Sequence, residues 1–140
     1  IRSTMGFLID TNILAELRKQ DRGNCGVRQW YSGIEEAEIY ISVIALGEIR
    51  RGVALLRRRD PVAAERLEVC LYRLRHSLGE RLLPVTEAIA DCWGRLGIPD
   101  PVPVADGLIA ATALIHDLTL VTRDTRDVER SDARLLNPFL

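Results

Sequence analysis

Four acidic residues in this 140-residue chain stand where a carboxylate can do more than face water. Asp10 ends the short apolar run Gly6-Phe7-Leu8-Ile9. Glu48 follows the apolar stretch Val43-Ile44-Ala45-Leu46-Gly47. Asp106 falls in the first turn of a helical segment that begins at Val104. Asp124 comes two residues after Leu120-Val121-Thr122. Carboxylates that converge with no lysine among them repel one another, and they stay ionised only if a cation neutralises them. Ligands that are all oxygen suit Mg2+ or Mn2+, which keep several waters and bind phosphate oxygens. Such an ion can generate hydroxide near neutral pH, orient a scissile phosphate and stabilise the leaving oxygen. Two ions ~3.5–4 Å apart do this for in-line phosphodiester hydrolysis. The residue types alone therefore point to a nuclease.

Each acid also has an ordinary explanation. Asp10 can cap the helix that follows it. Asp106 can sit near a helix start for the dipole, and Asp124 can be a turn residue. Glu48 is harder to explain away. Its apolar neighbourhood predicts a half-buried carboxylate in need of a partner, with Arg50 and Arg51 on other faces of the same helix.

The elements that must position these acids alternate along the chain. Short apolar runs predict strands at Gly6–Ile9, Glu38–Ser42, Leu82–Val85 and Leu118–Thr122, with a last edge strand at Leu135-Leu136. Between them lie helices over about 12–19, 26–31, 43–59, 61–76, 87–96 and 104–116. The third has Leu46, Ile49, Val53 and Leu56 on one stripe. Asp60-Pro61 and Thr86 are start signals, and Gly97 is a stop. In the helix from Val104, Val104, Leu108, Ile109, Thr112 and Ile115 point inward. Residues 123–132 read as polar and irregular. The pattern predicts an α/β fold: a central, mostly parallel sheet of four to five strands with helices on both faces, in three layers. Ligands in such sheets bind beyond the carboxyl ends of the strands, where all four acids map.

Composition narrows the rest. The length suits a single domain over residues 5–140, with Met5 as a natural start and Ile1–Thr4 as a cloning scar or upstream extension. Three cysteines at no CxxC spacing, with two histidines, exclude a disulfide scaffold and a Cys/His zinc site, and favour a reducing cytoplasm. No apolar run approaches the ~18 residues of a membrane helix. Net charge is only -1, yet residues 50–81 hold nine basic and four acidic side chains. All but Lys19 of the basic residues are arginine, a bias that GC-rich coding also produces.

Four segments carry a family resemblance: Leu8-Ile9-Asp10-Thr11-Asn12, Ser42 to Gly52 around Glu48, Val104 to Ala113 around Asp106, and Leu120 to Asp127 around Asp124. In this order, each at its strand or helix end, they resemble the signature segments of PIN-domain ribonucleases, most closely the VapC-type toxins of toxin–antitoxin pairs. The resemblance runs from about Met5 to Leu136. It implies a PIN-like fold and a Mg2+- or Mn2+-dependent endoribonuclease. Asp10, Glu48 and Asp106 would be metal-binding acids and Asp124 the fourth, with Asp127 as the alternative for that place. Thr11, Asn12 and Thr122 would support them by hydrogen bonds. It further implies an RNA substrate, a homodimer, a cognate antitoxin that covers the cleft, and a higher assembly with that antitoxin on promoter DNA.

Other features fit around this reading. Arg57-Arg58-Arg59 is a solvated helix end, or part of an RNA-backbone track with Arg50, Arg51, Arg66, Arg73 and Arg75. Trp30 and Tyr31 serve core or dimer packing, with stacking on an RNA base as the alternative; Trp93 belongs to the core, and His76 to the surface. Leu71, Leu74 and Leu78 exceed what one core needs and could line a dimer or antitoxin groove. Ser42 either bonds near the site or caps the next helix. The competing readings are a non-catalytic PIN scaffold that binds a partner through its acids, a DNA-directed nuclease, and a phosphatase or receiver domain of the kinds that place Asp after the first strand. The last pair needs a lysine in the site, and Lys19 is badly placed for it.

Overall fold

The computed structural model describes residues 6–140; the expectation for Ile1–Thr4 lies outside the described residues. Five strands form one sheet: β1 (Phe7–Ile9), β2 (Ile39–Ser42), β3 (Leu82–Leu83), β4 (Thr119–Val121) and β5 (Leu135–Leu136). Their order is β3-β2-β1-β4-β5 and every pair is parallel. Successive strand residues face opposite sides, and the two cores show it. Leu8 and Leu120 join Ile109, Ala110 and Ala113 on one face. Ile9 and Val121 join Ile13, Val27 and Ile41 on the other. A sheet covered on both faces explains why its strands read as unbroken apolar runs.

Seven helices connect and cover the strands: α1 (Thr11–Arg18), α2 (Cys25–Ser32), α3 (Val43–Arg57), α4 (Pro61–Leu78), α5 (Glu87–Arg95), α6 (Val104–Ile115) and α7 (Thr125–Val128). Most start on a side-chain cap. Asp10, Asn24, Ser42, Asp60 and Thr86 each accept a bond from a first-turn backbone N–H. From β1 the chain steps through α1 and α2 to β2, then through α3 and α4 to β3. It returns through α5 and α6 to β4 on the far side of β1. Strand order therefore reverses between β1 and β4, the switch point where α/β sheets open a crevice.

The structure departs from the sequence reading at several places. β3 stops at Leu83 because Pro84 has no N–H to continue the ladder. α4 runs on to Leu78 and ends at Gly79, whose φ of +54° is left-handed. Residues 123–132 are not irregular: α7 and a 3-10 turn over Glu129–Ser131 occupy most of them, anchored by buried Val128. Trp93 is 36% exposed, because it lies across the surface of Gly107 instead of entering the core. Val104 and Ile115, at the two ends of α6, face out. Leu71 and Leu78 are buried, so they are not surplus. Ser42 is the cap of α3.

Candidate acidic active site

Asp10 is the residue after β1, at the level of Thr122 after β4, since Ile9 pairs with Val121. Its backbone N–H donates to the Val121 carbonyl at 3.0 Å. Its carboxylate is held from two sides: the Thr11 N–H donates to Oδ1 at 2.7 Å and the Thr122 hydroxyl to Oδ2 at 2.8 Å. Thr122 is fully buried and serves three groups. Besides donating to Asp10, its Oγ1 accepts from Asn12 Nδ2 at 3.3 Å and from the Asp124 N–H at 3.1 Å. Asn12 Nδ2 also donates to Asp124 Oδ2 at 3.1 Å, while its Oδ1 accepts from the Arg123 N–H at 3.1 Å. The hydroxyl of Thr11 reaches across to α3 and donates to Glu48 Oε1 at 2.8 Å. The first turn of α1 thus ties the β1, α3 and β4 carboxylates into one frame. Asp10 caps a helix and belongs to this frame at once.

Asp106, in the first turn of α6, completes the rim. Its carboxyl is pushed up to about 6 from the ordinary 3.8, first by burial, then by the negative charges of Asp10, Asp127, Glu48 and Asp124. Burial also raises Asp10, against the hydrogen bonds from Thr122 and Thr11 that hold it down, and Glu48 and Asp124 add to the rise. These mutual effects place five carboxylates within electrostatic reach of one another. Asp124 and Asp127 both act on Asp106, so both candidates for the fourth acid lie within electrostatic reach of it.

The rim contrasts with the rest of the surface. Eight other carboxylates of the chain are in ion pairs with arginine or lysine; none of these five is, among the described residues. The donor set is all oxygen and lacks an internal counter-charge, which fits a hard divalent cation. Among the described residues no three acidic side chains are drawn into a preformed ligand set. Asp10, Glu48 and Asp124 instead accept bonds from nearby hydroxyl and amide groups. Glu48 is exposed rather than half-buried. Gly47 before it is open to solvent too, so the apolar stretch of α3 has an outer face at this point.

Arg50, read from sequence as an RNA contact, is already engaged. Its guanidinium donates to both oxygens of Glu68 on α4, at 2.6 and 2.8 Å. Arg51 is exposed and outside any ion pair among the described residues. A groove of about 390 Å³ runs from Thr11 and Glu48 between α1, α3 and α4. Leu14, Ile49, Leu67, Leu71 and Leu74 line it, with Arg18 on its border. Of the three α4 leucines that the sequence offered for a groove, Leu71 and Leu74 line this one and Leu78 does not. The seat of Arg123 on the Phe139 ring, 4.9 Å from guanidinium carbon to ring centroid, had no signal, because only folding brings these positions together.

A family model described as the PIN domain matches residues 7–132, nearly the whole chain. The chain belongs to the PIN domain family. This PIN domain is 36% identical to Toxin FitB of Neisseria gonorrhoeae over 95% of its own length and 98% of that protein's. It is 30% identical to VapC ribonuclease Y4jK of Sinorhizobium fredii, covering 95% of this chain and 97% of that one. Among solved structures it resembles FitAB bound to the IR36 DNA fragment, with a TM-score of 0.80, 32% identity and 94% of each chain covered. The expected parallel α/β architecture and the expected family are those of the protein.

Proposed function

We propose that this PIN domain is a metal-dependent endoribonuclease that acts as the toxin of a toxin–antitoxin pair. The observation that carries the reading is the unpaired rim: Asp10, Glu48, Asp124 and Asp127 all act electrostatically on Asp106, and none of the five has a basic partner among the described residues. The toxin and ribonuclease names of the relatives supply the substrate class and the biological role.

Asp10, Glu48 and Asp106, with Asp124 or Asp127, would hold Mg2+ or Mn2+. The ion would supply a hydroxide near neutral pH and charge stabilisation on the scissile phosphate. The chain's own residues do the positioning. Thr122 and the Thr11 N–H fix Asp10 by both oxygens. The Thr11 hydroxyl aims Glu48, and Asn12 aims Asp124. Asp106, raised to about 6 by burial and by the neighbouring negative charges, is the group whose charge a bound cation would relieve. Arg51, one turn along α3 from Glu48, is free to meet RNA phosphate, and Arg50 is not.

The groove supports an antitoxin partner. An apolar segment laid between α1 and α4 would bury the leucines, and a basic side chain at its rim end would neutralise Glu48 and its neighbours. Homodimer formation and a complex with antitoxin on promoter DNA belong to the same reading. So does a cytoplasmic location, which suits the free cysteines Cys25, Cys70 and Cys92. No helix among the described residues is long and apolar enough to cross a membrane.

The test is direct. Asp10→Asn and Asp106→Asn are each expected to abolish RNA cleavage and growth inhibition while circular dichroism stays that of the wild type. Undiminished cleavage by both variants would overturn the reading. Loss of antitoxin binding with no cleavage in the wild type would support a non-catalytic scaffold instead.

A further inference from the structure

Arg123 stands next to Asp124, on the edge of a rim that has no counter-ion of its own. An arginine so placed is a natural partner for those carboxylates, yet it makes no ion pair with them. Its guanidinium lies instead over the Phe139 ring, 4.9 Å from the centroid. Phe139 is itself fixed. Thr122 N–H donates to the Leu136 carbonyl at 3.0 Å, which ties β5 to β4. Beyond β5, Asn24 accepts from the Leu140 N–H at 3.1 Å and donates to the Leu140 carbonyl at 2.9 Å. Gly26 permits this approach, because a Cβ there would collide with the Pro138 carbonyl. Phe139 packs against the α1–α2 core.

We infer that Phe139 makes Arg123 a positioning residue of the metal site, parking its charge away from the acidic rim so that an external cation, and not Arg123, neutralises it. The inference rests on the metal reading above and adds a role to residues that reading does not use. Removing the ring frees the guanidinium to swing to Asp124 and compete with the cation. A cation–π contact at such an exposed site is worth about a five-fold bias in population.

The probe is Mn2+ alone, titrated into metal-free protein and followed by the paramagnetic resonance of the free ion. Phe139→Leu, which keeps apolar packing and loses the π face, is expected to bind Mn2+ about five-fold more weakly. Phe139→Trp is expected to match the wild type. Adding Arg123→Gln to Phe139→Leu is expected to restore wild-type affinity, which a general loss of order would not allow. Equal affinity of wild type and Phe139→Leu overturns the inference, as does a loss that Arg123→Gln leaves in place. In either case wild-type binding of Mn2+ leaves the metal reading standing. Absence of Mn2+ binding by the wild type sinks both.

Discussion

At the scale of residues, the site is an electrostatic problem left open. Burial and like charge raise Asp106 to about 6, so in the metal-free protein the folded state favours its protonated form over the ordinary carboxyl at 3.8. Above pH 6 the ionised group weighs against the fold. As pH falls from 7 through 6 towards 4 that penalty disappears, so this group makes the metal-free protein more stable as pH falls over that range. Bound Mn2+ reverses the sign: it favours the ionised form, and the stability it adds is lost as pH falls through 6. Melting temperatures with and without Mn2+ across this range check both slopes. A carbon-detected titration of Asp106 is expected to show its pKa fall towards the ordinary value in Asp10→Asn, where the first-ranked charged neighbour is gone. Thr122→Val is expected to cost about 1–3 kcal/mol, since it leaves a buried Asp10 oxygen and an Asn12 amide unserved in the same shape of core. Urea unfolding measures that cost.

At the scale of elements, the positions of Asp10, Asp106 and Asp124 were legible because each follows a strand or opens a helix whose apolar pattern is strong. The exposure of Glu48 was not. The apolar residues of α3 spread round more than one face, and only Thr11 across the crevice shows which face carries the carboxylate. α7 was invisible for a different reason. It is a four-residue helix with Val128 as its one apolar anchor, too short for any period to show. Trp93 misled because helical spacing cannot tell a core position from one that lies on the surface of a neighbouring helix at Gly107. Local signals did mark the helix starts, and they carry a prediction. Asp60→Ala removes the cap of α4 and is expected to lower stability by about 1 kcal/mol. Because α4 lines the groove and not the rim, Mn2+ affinity should stay that of the wild type.

At the scale of the molecule, the reversal of strand order between β1 and β4 gathers acids from distant parts of the chain, and the α1–α3–α4 groove begins where they end. Thr11 and Glu48 belong to both the rim and the groove, so on the proposed reading a partner in the groove would cover the rim at once. The two functions should still separate by mutation. Leu67→Glu puts a charge on the apolar wall, away from the acids. It is expected to leave RNA cleavage intact while a cognate antitoxin no longer suppresses its toxicity on co-expression.

The central claim is that the rim holds a divalent cation. Calorimetric titration of the metal-free wild type with Mn2+ measures it most directly. Saturable binding that disappears in Asp106→Asn is the expected result. No heat of binding at millimolar Mn2+, in protein that is folded, would contradict the account.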